Sequence, residues 1–287
     1  MKKNLLSFCA VISILSIVLI QCGTENKEVI LKVKFNENQS LSWSSSYKDH
    51  MEYFEDDSLI LVKDEAHETE SVEEVISLID KNTARLRLTT YFDMEIPDKD
   101  DSTKTIAVKD SSIIEYIQDS HSVNLDFFLS DTSSSEKTEY IKKLFEQLAP
   151  RYPDEPVSVG YKWTNNITVM LQDGKTQDAI TTYTVKGFVK EFGYDCVIIE
   201  SKGNTIVPFQ KEFESKKEKG TVLISRIDTR ETKTTTYMAY KEGFIVKEDK
   251  SFEFLSEGTK VTAEGEVKTK IISNGSESYF LIDAKGI

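Results

Sequence analysis

The chain has 287 residues, with 36 Lys and Arg against 49 Asp and Glu, and a formal net charge of −13 at pH 7. Such an acidic chain, with no basic patch, is repelled by phosphates, so its composition argues against nucleic acid as a partner. Glycine and proline are few, at 12 and 5, while β-branched and aromatic residues are plentiful. This balance favours half-buried strands and a mostly-β protein.

The first 21 residues have the pattern of a secretory signal. Lys2 and Lys3 precede an apolar run of 16 residues from Leu5 to Ile20. As a helix this run would span about 24 Å, which is short of the roughly 30 Å hydrocarbon core of a bilayer. It therefore predicts a cleaved signal peptide, residues 1–21, rather than a membrane span.

The apolar run ends on a cysteine, in the segment Leu19-Ile20-Gln21-Cys22. This segment resembles the lipobox of bacterial lipoproteins, although that family usually has Gly, Ala or Ser where this chain has Gln21. The resemblance implies cleavage before Cys22 and a thiol that carries lipid, with palmitate among its acyl chains. It also implies a protein anchored in the bacterial cell envelope, at the outer membrane or another periplasmic face, with residues 22–27 as a polar tether. The alternative is an ordinary secretory signal in which Cys22 is incidental.

The remaining cysteine is expected to be structural. Cys9 leaves with the signal and Cys22 is lipidated, so Cys196 stands alone and no intrachain disulfide is expected. Cys196 lies in the apolar stretch YDCVIIE. It is therefore predicted to be a small buried hydrophobe and not a nucleophile.

The N-terminal half, residues 28–130, is predicted to consist of strands. In EVILKVKF, residues 28–35, every second residue is apolar, which is the period of a strand. Further along, a long hairpin is predicted around the polar turn at residues 80–83. A short helical piece is expected over residues 112–118.

The pattern changes in residues 133–149. Apolar side chains recur there at helical spacing, a serine precedes them, and Pro150 follows. The spacing predicts one main helix of three to four turns with a single apolar face. That face contains Tyr140, Ile141, Leu144, Phe145 and Leu148.

Long strands resume in the C-terminal half, residues 156–287. Their turns are expected at Asp173-Gly174, Phe192-Gly193, Glu242-Gly243, Glu257-Gly258 and Asn274-Gly275. Residues 28–287 are predicted to form a single β-rich α+β domain. Its long, curved antiparallel sheet or half-barrel carries the helix on its concave side. Whether the two β halves share one sheet stays open at this stage.

The C-terminal half is also similar to an uncharacterised family of bacterial lipoproteins, a domain of unknown function. The resemblance is carried by PVSVGYKWTNNITVML, YTVKGFVKEFGYDCVIIESKG and YMAYKEGFIVKEDKSFEF. Members of that family look similar to the lipoprotein-carrier and mycobacterial lipid-carrier folds, in which a curved antiparallel sheet cups a hydrophobic space beneath helices. No functional residue is defined for the family, so none carries over.

Catalytic and metal-binding motifs are absent from the sequence. It has no Gly-x-Ser-x-Gly, His-Glu-x-x-His, Walker or Cys-x-x-Cys pattern. His50, His67 and His121 are not at metal-ligand spacing from one another. We therefore expect no enzyme, no metal and no cofactor, and a hydrolase with an unrecognised site is the third alternative.

The function expected from the sequence is noncatalytic binding of an apolar ligand, such as a lipid or acyl chain, in the concavity of the sheet. The rival expectation is a structural or interaction lipoprotein of the envelope with a filled core. Besides the membrane and a hydrophobic small molecule, no partner is implied, and protein partners are unknown. The candidate ligand-lining residues are Trp43, Trp163, Tyr140, Leu144, Phe145 and Leu148.

Overall fold

The computed structural model describes residues 27–97, 105–129, 151–170, 176–215 and 220–287. Within these ranges the chain forms eleven strands and no helix, and so contains no helix that could cross a membrane. The predicted signal peptide and the predicted helix over residues 133–149 lie outside the described residues. The strands are β1 (Ser40–Glu55), β2 (Ser58–Asp80), β3 (Thr83–Pro97), β4 (Thr105–Asp119), β5 (Asn124–Leu129), β6 (Lys162–Met170), β7 (Thr176–Glu191), β8 (Tyr194–Ser215), β9 (Gly220–Ala239), β10 (Phe244–Thr262) and β11 (Gly265–Lys285).

All eleven strands belong to one antiparallel sheet, in the order β5-β4-β3-β2-β1-β11-β10-β9-β8-β7-β6. Each half of the chain is a series of hairpins, and the halves join where β1 pairs with β11 from Ser40–Lys285 to Glu55–Thr269. The two β halves therefore share a single sheet, which settles the question that the sequence leaves open. The mostly-β prediction is confirmed.

The sheet is strongly curved at the end where β1 begins. A flat sheet would hold its edge strands, β5 and β6, about 48 Å apart at a spacing of about 4.8 Å per strand. Instead, the amide of Tyr152 donates to the carbonyl of His121, just after β4, at 2.9 Å. The indole Nε1 of Trp163, in β6, donates to the carbonyl of Arg151 at 3.1 Å. Two adjacent residues thus contact both edges, although no backbone ladder joins β5 to β6 in the described part of the chain.

Residues 29–35, which we call the strap, are not a strand of the sheet. They cross the sheet and form only an isolated bridge, so the prediction of a strand over residues 28–35 is wrong. Val29 exchanges two backbone hydrogen bonds with Val157, at 3.0 and 2.8 Å, and the amide of Val33 donates to the carbonyl of Ser120 at 2.8 Å. The apolar alternation is used differently from the prediction: Val29 and Leu31 are buried against the sheet face instead of lying within the sheet.

Residues 112–118 are a strand and not the expected helical piece. They lie within β4 and pair with β3 on one side, and with β5 on the other from Ile114 onwards. Hydrogen bonds to two neighbouring strands satisfy this backbone, and they override a weak local helical pattern.

Two of the predicted hairpin turns are also wrong. Gly258 lies inside β10 and Gly275 inside β11. A Cβ at Gly258 would overlap the carbonyl of Ser225, and one at Gly275 would overlap the ring of Phe252. Glycine is therefore suited to these two positions because neighbouring atoms lie too close for a Cβ. The turns at Lys81-Asn82, Phe192-Gly193 and Glu242-Gly243 are confirmed, while Asp173-Gly174 lies outside the described residues.

Most buried apolar side chains gather at the strap end of the sheet. One cluster packs Leu31 of the strap against Val185, Val197 and Met238. Two further clusters are centred on Phe244 and on Leu86. Cys196 is buried in the cluster that contains Phe244, as predicted, and burial raises the pKa of its thiol to about 11.

The opposite end of the sheet, which we call the far end, contains the β1–β2 and β10–β11 turns.

Candidate functional site

A cavity of about 310 Å³ lies between the strap and one face of the sheet. Both halves of the chain contribute to its wall. The apolar part of the wall contains Val33 and Phe35 from the strap, Trp43 from β1, Leu86 and Leu88 from β3, and Met238 from β9. Its volume is at the lower end of the range of small-molecule sites, about 300–1,000 Å³.

Trp43 is held in place within this wall. Its indole Nε1 donates to the carbonyl of Ile245 at 3.3 Å, and its ring packs against the cluster that contains Leu41 and Phe244. The hydrogen bond satisfies the polar edge of the indole, so its apolar surface is presented to the cavity.

The first polar group of the wall is Glu73, in β2. Glu73 is opposite Leu88, Leu88 is opposite Ile114, and Tyr116 follows Ile114 on the same face of β4. The register therefore allows the hydroxyl of Tyr116 to reach across β3, and it donates a hydrogen bond to the carboxyl of Glu73. Burial raises the pKa of the Glu73 carboxyl. Burial and the neighbouring Glu73 raise the pKa of Tyr116 well above its usual range.

The second polar group is Glu248, in β10. Thr236 lies opposite it in β9, and the Thr236 hydroxyl donates to the carboxyl at 2.8 Å. Burial raises the pKa of Glu248. Tyr279 lies opposite Glu248 on the other side, in β11, and burial followed by its hydrogen bond to Glu277 raises the pKa of Tyr279.

Both carboxyl groups lie deep in the protein, yet each side chain keeps some accessible surface. Since both line the cavity, that surface faces the cavity. Among the described residues, neither carboxyl forms an ion pair with a lysine or arginine. The site is therefore an apolar chamber with two weakly acidic carboxyl groups, Glu73 from one half of the sheet and Glu248 from the other.

The residues singled out from the sequence do not lie together in the structure. Trp43 lies in the cavity wall. Trp163 instead stacks on Tyr183, with ring centroids 4.9 Å apart, beside the crossing at Arg151. Cys22, Tyr140, Leu144, Phe145 and Leu148 lie outside the described residues.

Sequence reasoning missed Glu73 and Glu248. The available signal was that each is a charged residue at a position which the alternation of its strand assigns to the buried face. Among 49 acidic residues that signal does not stand out.

Histidine and acidic side chains also meet outside the cavity. His50 lies 2.8 Å from Asp64 and 3.5 Å from Glu52 on an exposed part of the sheet, and these hydrogen bonds raise the pKa of His50. In the part of the chain that the structure describes, no three His, Cys, Asp or Glu side chains converge as metal ligands. The cavity is therefore the better candidate site.

Residues 112–245 match the sequence model of a protein family described as a family of unknown function (DUF6263). The matched stretch begins within β4 and ends at the start of β10. It includes Tyr116 and Thr236 but neither of the carboxyl groups they contact. No curated protein matches the chain. The match agrees with the expectation of an uncharacterised family, while the lipoprotein part of that expectation stays a prediction.

Proposed function

We propose that the protein is a membrane-anchored lipoprotein that binds an acyl chain, or the apolar part of another lipid, in the cavity under the strap. The observation that supports this most is an unfilled chamber of about 310 Å³ with mainly apolar walls. A rigid strand scaffold on one side and the strap on the other would hold such a chain without any catalytic group.

The size of the cavity suits part of an acyl chain. A water molecule occupies about 30 Å³ in the liquid, and a methylene group is of similar size, so the cavity of about 310 Å³ accommodates about ten methylene groups. Each buried methylene contributes about 0.8 kcal/mol. Ten of them would contribute about 8 kcal/mol before the cost of ordering the chain.

The two carboxyl groups are compatible with an apolar ligand because burial raises the pKa of both. A raised pKa keeps a carboxyl group neutral over a wider pH range, and a neutral carboxyl costs less to place beside hydrocarbon than a charged one. Tyr116 and Thr236 further satisfy these groups by hydrogen bonds.

The position of the strap supports a lipid as the ligand. Val29, its first residue, follows Cys22 by seven residues. At about 3.3–3.6 Å per residue, this connection spans at most about 25 Å. A lipidated Cys22 would therefore hold the cavity end of the sheet close to a bilayer.

Uptake of a fluorescent fatty acid by the delipidated protein tests the proposal. Leu88→Trp places a larger side chain in the cavity wall and so fills part of the cavity. It should lower the affinity for the probe at least tenfold. Ile180→Trp is the matched control because Ile180 is an exposed strand residue outside the cavity, and it should bind the probe as the wild type does. Circular dichroism would verify that both variants fold. A wild-type protein that takes up no probe, or a Leu88→Trp variant that binds it unchanged, would defeat the proposal.

A further inference from the structure

The sheet divides between β2 and β3 towards its far end. The two strands pair from Asp80–Thr83 only as far as Glu70–Tyr91. Residues 58–69 of β2 continue beyond this point paired with β1 alone, and residues 92–97 of β3 continue paired with β4 alone, as far as the described residues show. A cleft of about 160 Å³ marks the division. We call these two free edges and the cleft between them the fork.

The β2 side of the fork is an open edge with apolar side chains. Leu59, Ile60, Leu61 and Val62 are 52, 55, 48 and 45% exposed. Successive strand residues point to opposite faces, so four exposed residues in a row mean that neither face is covered. The free backbone groups beside them are a template for another strand.

A second free edge in the same sheet is protected, and the β2 edge is not. Beyond Asn204, residues 205–214 of β8 pair only with β9 in the described part of the chain. That stretch carries Pro208 and, after it, Lys211, Glu212 and Glu214, which discourage pairing with a further strand. The β2 edge has no proline, and its own charges, at Lys63, Asp64, Glu65 and Glu68, all follow the apolar residues, so Leu59–Val62 is the part of this edge that lacks protection.

The charge of the fork indicates the kind of strand that would fit. Glu68, Glu70 and Asp93 line the cleft, with Lys109 as the opposing charge. The β2 edge, residues 58–69, has one lysine and no arginine, and this lysine, Lys63, is paired with Glu65. A second copy of this chain would bring the same acidic residues against these, which is unfavourable. A partner strand with lysine or arginine would be attracted.

We propose that the fork binds an extended, basic segment of a partner protein, which adds a strand to the free edge of β2. Apolar residues of that segment would lie along Leu59–Val62, and its basic residues would lie beside the acidic cleft. Main-chain hydrogen bonds would supply affinity, and the alternate side chains would supply specificity. The apolar edge at Leu59–Val62 is remote from the cavity, because Val62 lies about 30 Å along β2 from Ser71 of the cavity wall at about 3.3 Å per residue. The cleft is nearer, since its Glu70 is the chain neighbour of Ser71.

Binding of a synthetic nonapeptide of alternating lysine and valine, with blocked ends, tests this inference. We expect fluorescence anisotropy to show binding, and hydrogen exchange to show slowed amides within residues 58–69. A peptide of alternating glutamate and valine, and a lysine–valine peptide with a central proline, should each bind at least tenfold more weakly.

Two protein variants locate the binding. Ile60→Lys with Val62→Lys should weaken binding of the basic peptide at least tenfold. Ile206→Lys with Ile227→Lys adds the same charge at exposed residues of β8 and β9 and should leave binding unchanged. Uptake of the fatty-acid probe should be unchanged in both variants, so a failure at the fork is distinguishable from a failure at the cavity.

Three results would overturn the inference. The first is no binding of the basic peptide, or binding that the fork variant leaves unchanged. The second is protection of residues 58–69 in a dimer of the free protein, which would mean that a second copy occupies the edge. The third is protection, in the free monomer, of those amides of residues 58–69 that point away from β1, which would mean that another segment of this chain covers the free edge.

Discussion

The hydroxyl of Tyr116 in β4 donates a hydrogen bond to the carboxyl of Glu73 in β2, across the intervening strand β3. Tyr116 is only 4% exposed. The contact therefore satisfies a carboxyl group in the cavity wall with a donor that water does not reach freely. We therefore expect this hydrogen bond to stabilise the sheet and also to satisfy a polar group of the cavity wall.

Tyr116→Phe should lower the free energy of unfolding by about 1–3 kcal/mol, because a buried carboxyl group loses its donor. Urea unfolding of the purified domain would measure this. Tyr91→Phe is the matched control, since Tyr91 is an exposed tyrosine of β3, and it should change stability by less than about 0.5 kcal/mol. Equal effects of the two substitutions would show that the Glu73–Tyr116 hydrogen bond contributes no measurable free energy of unfolding.

The two cavity carboxyls should make the protein less stable as pH rises. Their pKa values in the folded protein are raised above the ordinary value of 4.5. Between the unfolded and folded pKa values, the folded state binds more protons than the unfolded state, so this contribution to the free energy of unfolding falls with increasing pH. It is fully present below the unfolded pKa and is lost as pH rises through the folded pKa.

Replacing both carboxyl groups tests this direction of the pH dependence of stability. Between about pH 5 and pH 8, the Glu73→Gln, Glu248→Gln double variant should lose less stability than the wild type in urea unfolding. Glu253→Gln, at an exposed position of β10, should follow the wild-type profile. Parallel profiles for the wild type and the double variant would contradict the burial of these carboxyls.

Gly275→Ala should destabilise the protein because the new Cβ would overlap the ring of Phe252 and lie 2.7 Å from the carbonyl oxygen of Lys48. We expect a loss of about 1–3 kcal/mol, as for other overpacked sites. Gly187→Ala is the control, since a Cβ at Gly187 meets no atom within 4 Å. Thermal unfolding would compare the two, and an unchanged Tm for Gly275→Ala would be inconsistent with the packing of β10 on β11.

Cys22→Ser should release the protein from membranes, because the substitution removes the thiol that the lipobox resemblance assigns to lipid. Fractionation after a high-salt wash would measure this. Cys9→Ser, within the predicted signal peptide, is the matched control and should stay with the membrane fraction. Membrane retention of the Cys22→Ser variant would exclude lipidation as the anchor.

Local patterns predicted a mostly-β chain of hairpins, but they did not predict how the strands are arranged over long range. The polar turn at residues 80–83 located the β2–β3 hairpin, because a hairpin depends on neighbours in sequence. The stretch YDCVIIESKG alone indicates a strand that ends at Gly203, but β8 continues through this glycine as one strand of 22 residues. Pro208 fits inside it because this part of β8 pairs on one side only.

The strap and the cavity depend on contacts that no local pattern encodes. Residues 28–35 alternate as a strand does, and only the tertiary structure shows that they cross the sheet. Glu73 and Glu248 are 175 positions apart in sequence and come into one wall through the pairing of β1 with β11. Trp43 could be singled out because tryptophan is rare in this chain, with 2 residues.

Native mass spectrometry of the protein extracted from membranes tests lipid binding most directly. We expect a native mass that exceeds the denatured mass by one lipid molecule. We expect Leu88→Trp to lose this difference and Ile180→Trp to keep it. Identical native and denatured masses for the wild-type protein, or a bound lipid retained by the Leu88→Trp variant, would contradict binding in the cavity under the strap.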